Sequence, residues 1–242
     1  MRSAGVVLLV AIWFALVTIL DPPGYVFPGP GAVWDAFISR PLPLLRHAGI
    51  TATEIALGLA LGTAAGVIAA LAMAATPWSR RLVLPAVVST QALPVFAIAP
   101  LLVIWLGFGL ASKVVMAALI IFFPIATAYA EAMARADRQL LDLARLYGAG
   151  AGARLWLIRA PAGLPGLAAG LKVAATVAPI GAVVGEWVGA SAGLGYVMLH
   201  ANARLQTDEL FAALVLLGIL VLTVRALVDR LADRLAPWAP TA

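Results

Sequence analysis

From Ile50 to Ala75 the chain reads ITATEIALGLALGTAAGVIAALAMAA, 26 residues with one ionisable side chain, Glu54. Such a run exceeds the roughly 20 apolar residues that one helix needs to cross a bilayer. Comparable runs recur at 4–20, 82–105, 114–130, 161–190 and 210–228. Hydrophobic residues make up 64% of the 242 and charged residues 11%, where soluble domains hold about 45–50% and 25%. With a mean hydropathy of +1.05, the expectation is an all-α polytopic membrane protein of about six transmembrane helices. The 22 glycines and 16 prolines are compatible with this, because neighbouring helices can cover the backbone groups they free. Cysteine is absent, which excludes disulfides and thiolate chemistry.

The first run follows Arg2 and exits through Asp21-Pro22-Pro23-Gly24 without a small-residue cleavage site. It reads as a retained first helix and not as a signal peptide. Residues 21–49 are rich in proline and glycine, with amphipathic spacing after Pro30 that suggests a short helix at the membrane surface. The net charge of +5 is explained by membrane orientation and needs no nucleic acid, since loops facing the cytoplasm collect lysine and arginine. With the N-terminus inside, arginines 2, 80, 81, 135, 138, 145, 154, 159, 225, 230 and 234 share one side, eleven in all. The other side holds Arg40, Arg46, Lys113 and Arg204, and Lys172 lies within the fifth run. Both termini are therefore expected in the cytoplasm. The two halves show no mirrored topology, which argues against a carrier built from inverted repeats.

One segment breaks the hydrocarbon pattern: DLARLYGAGAGARLWLIRAP, residues 142–161. Asp137 is placed to cap a helix through Tyr147. Gly148, Gly150 and Gly152 would end it, since glycine supplies the positive φ of a C-cap. Arg154 to Arg159 reads as a second short helix that Pro161 ends, or else Pro161 starts the next one. Leu155, Trp156 and Ile158 are expected to form its apolar face. The result would be a cytosolic projection of two short helices about a glycine elbow.

This segment resembles the EAA loop of ABC importer permeases, whose pattern is Glu-Ala-Ala, three residues, Gly, nine residues, Ile-x-Leu-Pro. Asp142, Ala144, Gly148, Ile158 and Pro161 fall on its spacing, while Asp142 for Glu, Leu143 for Ala and Ala160 for Leu depart from it. VFPGPGAVWDAF, LPVFAIAPLLVIWLGFG (93–109) and GEWVGASAGLGYVMLHANAR (185–204) also look like the branch importing sulfonates, taurine, nitrate and thiamine-pyrimidine precursors. The resemblance implies a type I ABC importer permease fold in the bacterial inner membrane. It also implies that the chain forms a homodimer fed by a periplasmic or lipid-anchored binding protein. The loop, with Arg154 and Trp156, would dock into a dimeric ATPase subunit. Residues 1–49 would then be the first helix with its periplasmic segment, and 50–230 the permease core with a coupling loop at 131–161. Residues 231–242 would form a cytoplasmic tail.

No GxxxxGK[ST] occurs in the sequence, so ATP and Mg are expected on the separate ATPase and no cofactor on this chain. Membrane enzymes need paired acids, a nucleophile with its base, or a metal cluster, and none is assembled by the sequence. No catalytic residue and no metal site is expected. His47 and His200 lie far apart without a carboxylate at ligand spacing.

Ionisable groups at membrane depth are costly and invite a functional reading. Glu186, late in the fifth run, either lines the translocation path or meets the binding protein, or else is an interfacial acid just outside the hydrocarbon. Gln91, between prolines of the third run, is the second pathway candidate. Lys172 can snorkel to the cytoplasmic interface, and Glu54 lies near the outer headgroups. Most tryptophans fall at predicted interfaces as anchors. Selectivity in this family is expected to sit mainly in the binding protein. Residues 200–229 resemble permeases for hydroxymethylpyrimidine or formylaminopyrimidine precursors of thiamine more than the sulfonate branch. The alternative substrates are an alkanesulfonate, taurine or nitrate. A nucleotide-independent secondary carrier is the remote alternative.

Overall fold

The computed structural model of the chain describes residues 2–92 and 94–238. Leu93 of the third run, residues 239–242 of the expected tail and the Arg2 side chain of the charge count lie outside the described residues. In chain order the helices are α1 (Arg2–Leu20), α2 (Pro30–Ser39), α3 (Pro41–Ala75), α4 (Pro77–Ala92), α5 (Val95–Leu106) and α6 (Leu110–Ala134). They continue with α7 (Arg138–Leu146), α8 (Ala151–Arg154), a π turn (Leu155–Arg159), α9 (Ala160–Gly189), α10 (Leu194–Ala203) and α11 (Thr207–Leu235). No strand occurs among the described residues.

Four helical runs are long and apolar enough to cross a membrane: α3, α6, the run Ala151–Gly189 and α11. The third expected span is not one helix. It is the pair α4 and α5, bent by more than 40° at the break before Pro94, and α1 adds the shorter apolar stretch Leu8–Leu20. Pro94 lacks the N–H that would carry the helix through.

Two expected boundaries are corrected. The second run marks hydrocarbon from residue 50, but its helix begins nine residues earlier at Pro41. Proline there occupies the first turn, where its missing N–H is not needed, and the polar turns carrying Arg46 and His47 extend the helix beyond its apolar part. The short helix expected over 154–159 is likewise not a separate element. The chain stays helical from Ala151 to Gly189. A π turn with Ala160 N–H bonded to the Leu155 carbonyl leads into Pro161, shifting the hydrogen-bond register where proline contributes none.

The core lies where α6 runs between α3 and α9, around Ile55, Ile121, Ile125, Met133, Ala174 and Ala178. Helices in lipid gain little from the hydrophobic effect against each other and associate by close packing. Gly58, Gly62 and Gly66 form a small-residue stripe on α3 that lets α6 approach. A Cβ at Gly62 would stand 2.9 Å from both the Ala118 carbonyl and Ile121. Gly181 of α9 brings that helix as near to α6, its Cβ position 2.5 Å from Ala117 Cα.

At one end of the bundle, α1 and the turn after it pack on α11. Trp13 donates to the Pro28 carbonyl at 3.1 Å, and its ring meets Phe27 and Phe211. At the other end Lys172 bonds Asp233 at 2.8 Å, and Arg225 donates to the Lys172 carbonyl at 2.8 Å. Lys172 thus reaches the edge of the bundle and joins α9 to α11.

Candidate functional site

The polar segment is built as a capped elbow. The Asp137 carboxylate accepts the Gln139 N–H at 2.8 Å and starts α7. At the far end Gly148 N–H bonds the Arg145 carbonyl at 2.9 Å, and Ala149 N–H bonds that of Ala144 at 2.8 Å. With Gly148 at φ +78°, this is a Schellman cap, whose αL residue is the natural place for glycine. Gly150 is extended and starts the next helix, which Arg154 secures by donating to the Ala149 carbonyl at 3.0 Å.

Asp142 and Arg145 form an exposed ion pair at 2.7 Å, one turn apart on α7. Ala144 supplies the carbonyl that closes the cap, and Ile158 is half-buried just before Pro161. The expected apolar face is split. Leu155 packs on the core, whereas Trp156 is 61% exposed and Leu157 more so. Within this turn Leu155 and Ile158 are the half-buried apolar pair and share the inward side, and Trp156 does not. Trp156 and Leu157 join Leu146 and Tyr147, 85% and 84% exposed, as large apolar side chains on a short polar projection. Exposed groups of that kind mark interaction surfaces.

A second polar centre lies at the opposite end of α9. Glu186 is 1% exposed. Its Oε1 accepts the Thr51 hydroxyl at 2.6 Å, and its Oε2 accepts the N–H groups of Gly195 and Tyr196. Thr51 in turn accepts the Leu194 N–H at 2.8 Å, and His47 Nδ1 accepts that of Gly193 at 3.0 Å. These four N–H groups open α10, and the first four donors of any helix have no partner within it. No local side chain caps α10; α3 and α9 do so in its place. Beside them Glu54 is fully buried, with Lys113 Nζ at 3.7 Å and no hydrogen-bond partner for either carboxylate oxygen. His47 and His200 both lie against the Tyr196 ring, with centroids at 6.0 and 4.0 Å. Among the described residues no group of three or more potential ligands is placed to hold a metal ion.

Thus Glu186 is committed to a helix terminus inside the chain, while Gln91 is exposed near the end of α4. The sequence reading missed Thr51 and His47, which carry no motif. The available signal was the helix start GLG at 193–195, which offers no serine, threonine, asparagine or aspartate and must therefore find acceptors elsewhere.

The family of binding-protein-dependent transport system inner membrane components matches residues 62–239. This chain belongs to that family. A probable ABC transporter permease protein of Haemophilus influenzae is 46% identical over 93% of this chain and 92% of its own. The formylaminopyrimidine transport permease protein ThiX of Halalkalibacterium halodurans is 32% identical over 96% of this chain and 92% of its own. The riboflavin transport system permease protein RibX of Chloroflexus aurantiacus is 34% identical over 96% and 87%. In structure, a chain of the MetNI methionine ABC transporter in an inward-facing conformation matches with a TM-score of 0.68 at 20% identity, covering 79% of this chain and 95% of that one. The fold is therefore that of a type I importer permease. The chain is a multi-pass membrane component of an ABC importer and not an enzyme, and ATP hydrolysis belongs to a separate subunit.

Proposed function

We propose that this permease acts as a homodimer in the bacterial inner membrane, both termini cytoplasmic, importing a small planar nitrogen heterocycle. A formylaminopyrimidine or hydroxymethylpyrimidine is the best candidate. The observation that carries the substrate reading is the full-length similarity to two permeases named for nitrogen heterocycles, at 32% and 34% identity.

In this reading Leu146, Tyr147, Trp156 and Leu157 enter a groove of the ATPase dimer. Asp142, Ala144, Gly148, Arg154, Ile158 and Pro161 hold that surface in shape. ATP and Mg are bound by the ATPase, and nothing in this chain needs to contact them. Closure of the ATPase moves the elbow, and the movement passes into the unbroken run Ala151–Gly189. Its 39 residues span about 58 Å at about 1.5 Å per residue, well beyond a hydrocarbon core of about 30 Å. A continuous helical run of that length links the loop to Glu186 and α10 on the face that receives the binding protein. Gln91, exposed beside the α4–α5 break, is the residue proposed to face the pathway. Glu186 supports the pathway from behind by fixing α10.

The test is uptake into proteoliposomes holding this chain with its ATPase and binding protein. Labelled formylaminopyrimidine, riboflavin and an alkanesulfonate are offered with and without ATP. ATP-dependent entry of the pyrimidine supports the proposal. Entry of the sulfonate alone moves the substrate to the alternative class, and entry without ATP overturns the coupling mechanism.

A further inference from the structure

At the loop end of the bundle a cavity of about 560 Å³ opens between α3, α6 and the elbow. Its floor is apolar, with Met73 and Met133 buried beneath it. Its walls carry Arg80, Arg145, Arg154 and Arg159, and no carboxylate lines it. Arg159 donates to the Ala74 carbonyl at the end of α3, and Arg154 to that of Ala149, each at 3.0 Å. Arg145 is paired with Asp142 at 2.7 Å. Arg80 has no side-chain hydrogen bond or ion pair among the described residues. A guanidinium has five donors in a fixed fork, so the single bonds made by Arg154 and Arg159 hold these groups in place and leave most of their N–H groups unused.

Depth in the membrane narrows the ligand. The apolar run of α3 ends at Ala75, and α4 opens with Pro77 and Trp78, the latter 71% exposed, followed by Arg80 and Arg81. Exposed tryptophan beside arginine marks the interface between hydrocarbon and water. The cavity therefore lies at headgroup level, its apolar floor towards the hydrocarbon and its cationic walls towards water. Forked guanidinium groups suit phosphate oxygens, and basic pockets between spanning helices take anionic headgroups.

We propose that this cavity binds a phosphate-bearing anion, either the headgroup of an anionic phospholipid or free phosphate. The proposal rests on the membrane placement of the loop and not on the substrate. Its test is a binding measurement, so failure of the import reading in the uptake assay leaves it standing.

The experiment is native mass spectrometry of the permease–ATPase complex in mild detergent, titrated with phosphatidylglycerol, phosphatidylethanolamine or inorganic phosphate. The wild type is expected to retain phosphatidylglycerol in preference to phosphatidylethanolamine, or to retain phosphate. Arg80→Gln should weaken that retention about tenfold, the worth of one charge-assisted contact, and Arg80→Lys should restore part of it. Arg81→Gln, an equal charge change outside the cavity lining, should not alter it. Phosphatidylglycerol retained in the presence of millimolar phosphate assigns the site to lipid, and its displacement assigns the site to the free anion. Equal retention of the two lipids without phosphate binding, or equal loss in Arg81→Gln, overturns the proposal. So does binding by the isolated chain that disappears on assembly with the ATPase, which would assign the arginines to the subunit interface.

Discussion

The Thr51 hydroxyl donates to Glu186 Oε1 at 2.6 Å across 135 residues of sequence. The same oxygen of Thr51 accepts the Leu194 N–H, so α3, α9 and α10 are tied at one point. Glu186→Ala removes the acceptor for the hydroxyl and for the N–H groups of Gly195 and Tyr196. Interhelical hydrogen bonds in membrane proteins average about 0.6 kcal/mol, but orphaned buried donors cost about 1–3 kcal/mol each. We expect Glu186→Ala to destabilise the solubilised protein by about 2 kcal/mol or more. Glu186→Gln, which keeps one acceptor oxygen, should lie between it and the wild type. Thermal unfolding in detergent gives the order, and a Gln variant as damaged as the Ala variant would show that the negative charge is needed.

Gly193 adjoins the same carboxylate. Its φ is +119°, and a Cβ there would overlap the Glu186 carboxyl group. Strained backbone of this kind costs about 1–3 kcal/mol for a residue with a side chain, and the overlap adds to it. Gly193→Ala should therefore match Glu186→Ala in severity. The double variant Gly193→Ala/Glu186→Ala should be less destabilised than the two losses summed, because removing the carboxylate removes the overlap. Additive losses in the double-mutant cycle would show that only the backbone angle matters.

For the loop, the expected signature is uncoupling without loss of the protein from the membrane. Gly148→Pro breaks the Schellman cap, since proline has no N–H to give Arg145 and cannot adopt positive φ. Trp156→Asp leaves the backbone alone and places a charge in the exposed apolar surface. Both should insert normally, as judged by membrane yield, and both should lose most ATP-driven uptake. Gly148→Ala, a strain of about 1–2 kcal/mol, should lose less. Wild-type uptake by Trp156→Asp would remove the docking role of that surface.

The parts of this molecule that are local in sequence could be read from it. Apolar length located the four runs long enough to cross but not the break of the third expected span into α4 and α5, and Asp137 and Gly148 bounded α7 because caps depend on a few neighbouring residues. Hydropathy reports the hydrocarbon layer and not the end of a helix, which is why the start of α3 at Pro41 was not visible. Proline at 161 suggested either a stop or the start of the next helix; it opens α9, and the π turn before it absorbs the missing bond, so the chain does not break there. The cap on α10 could not be read forward. Its acceptors come from His47 and Thr51, more than a hundred residues away, and from Glu186 nine residues before Gly195, and nothing at those positions announces the pairing. The arginine-lined cavity was legible only as charge on one side of the membrane. Its shape requires the ends of α3 and α6 to meet the elbow.

The glycine stripe of α3 gives a prediction whose sign is informative. In a helix, glycine to alanine is intrinsically favourable by about 0.5–1 kcal/mol. At Gly218 of α11 an added Cβ meets nothing within 4 Å, so Gly218→Ala should leave the unfolding temperature unchanged or raise it. At Gly62 the same methyl would stand 2.9 Å from the Ala118 carbonyl and from Ile121 Cβ. Neither neighbour is the free end of a flexible side chain, so α3 and α6 must separate to admit it. Overpacking of this kind costs about 1–3 kcal/mol, which outweighs the propensity gain. Gly62→Ala should therefore lower the unfolding temperature and Gly62→Leu should lower the yield of folded protein. If the two alanine variants behaved alike, the close approach of α3 and α6 would not be what holds this core together.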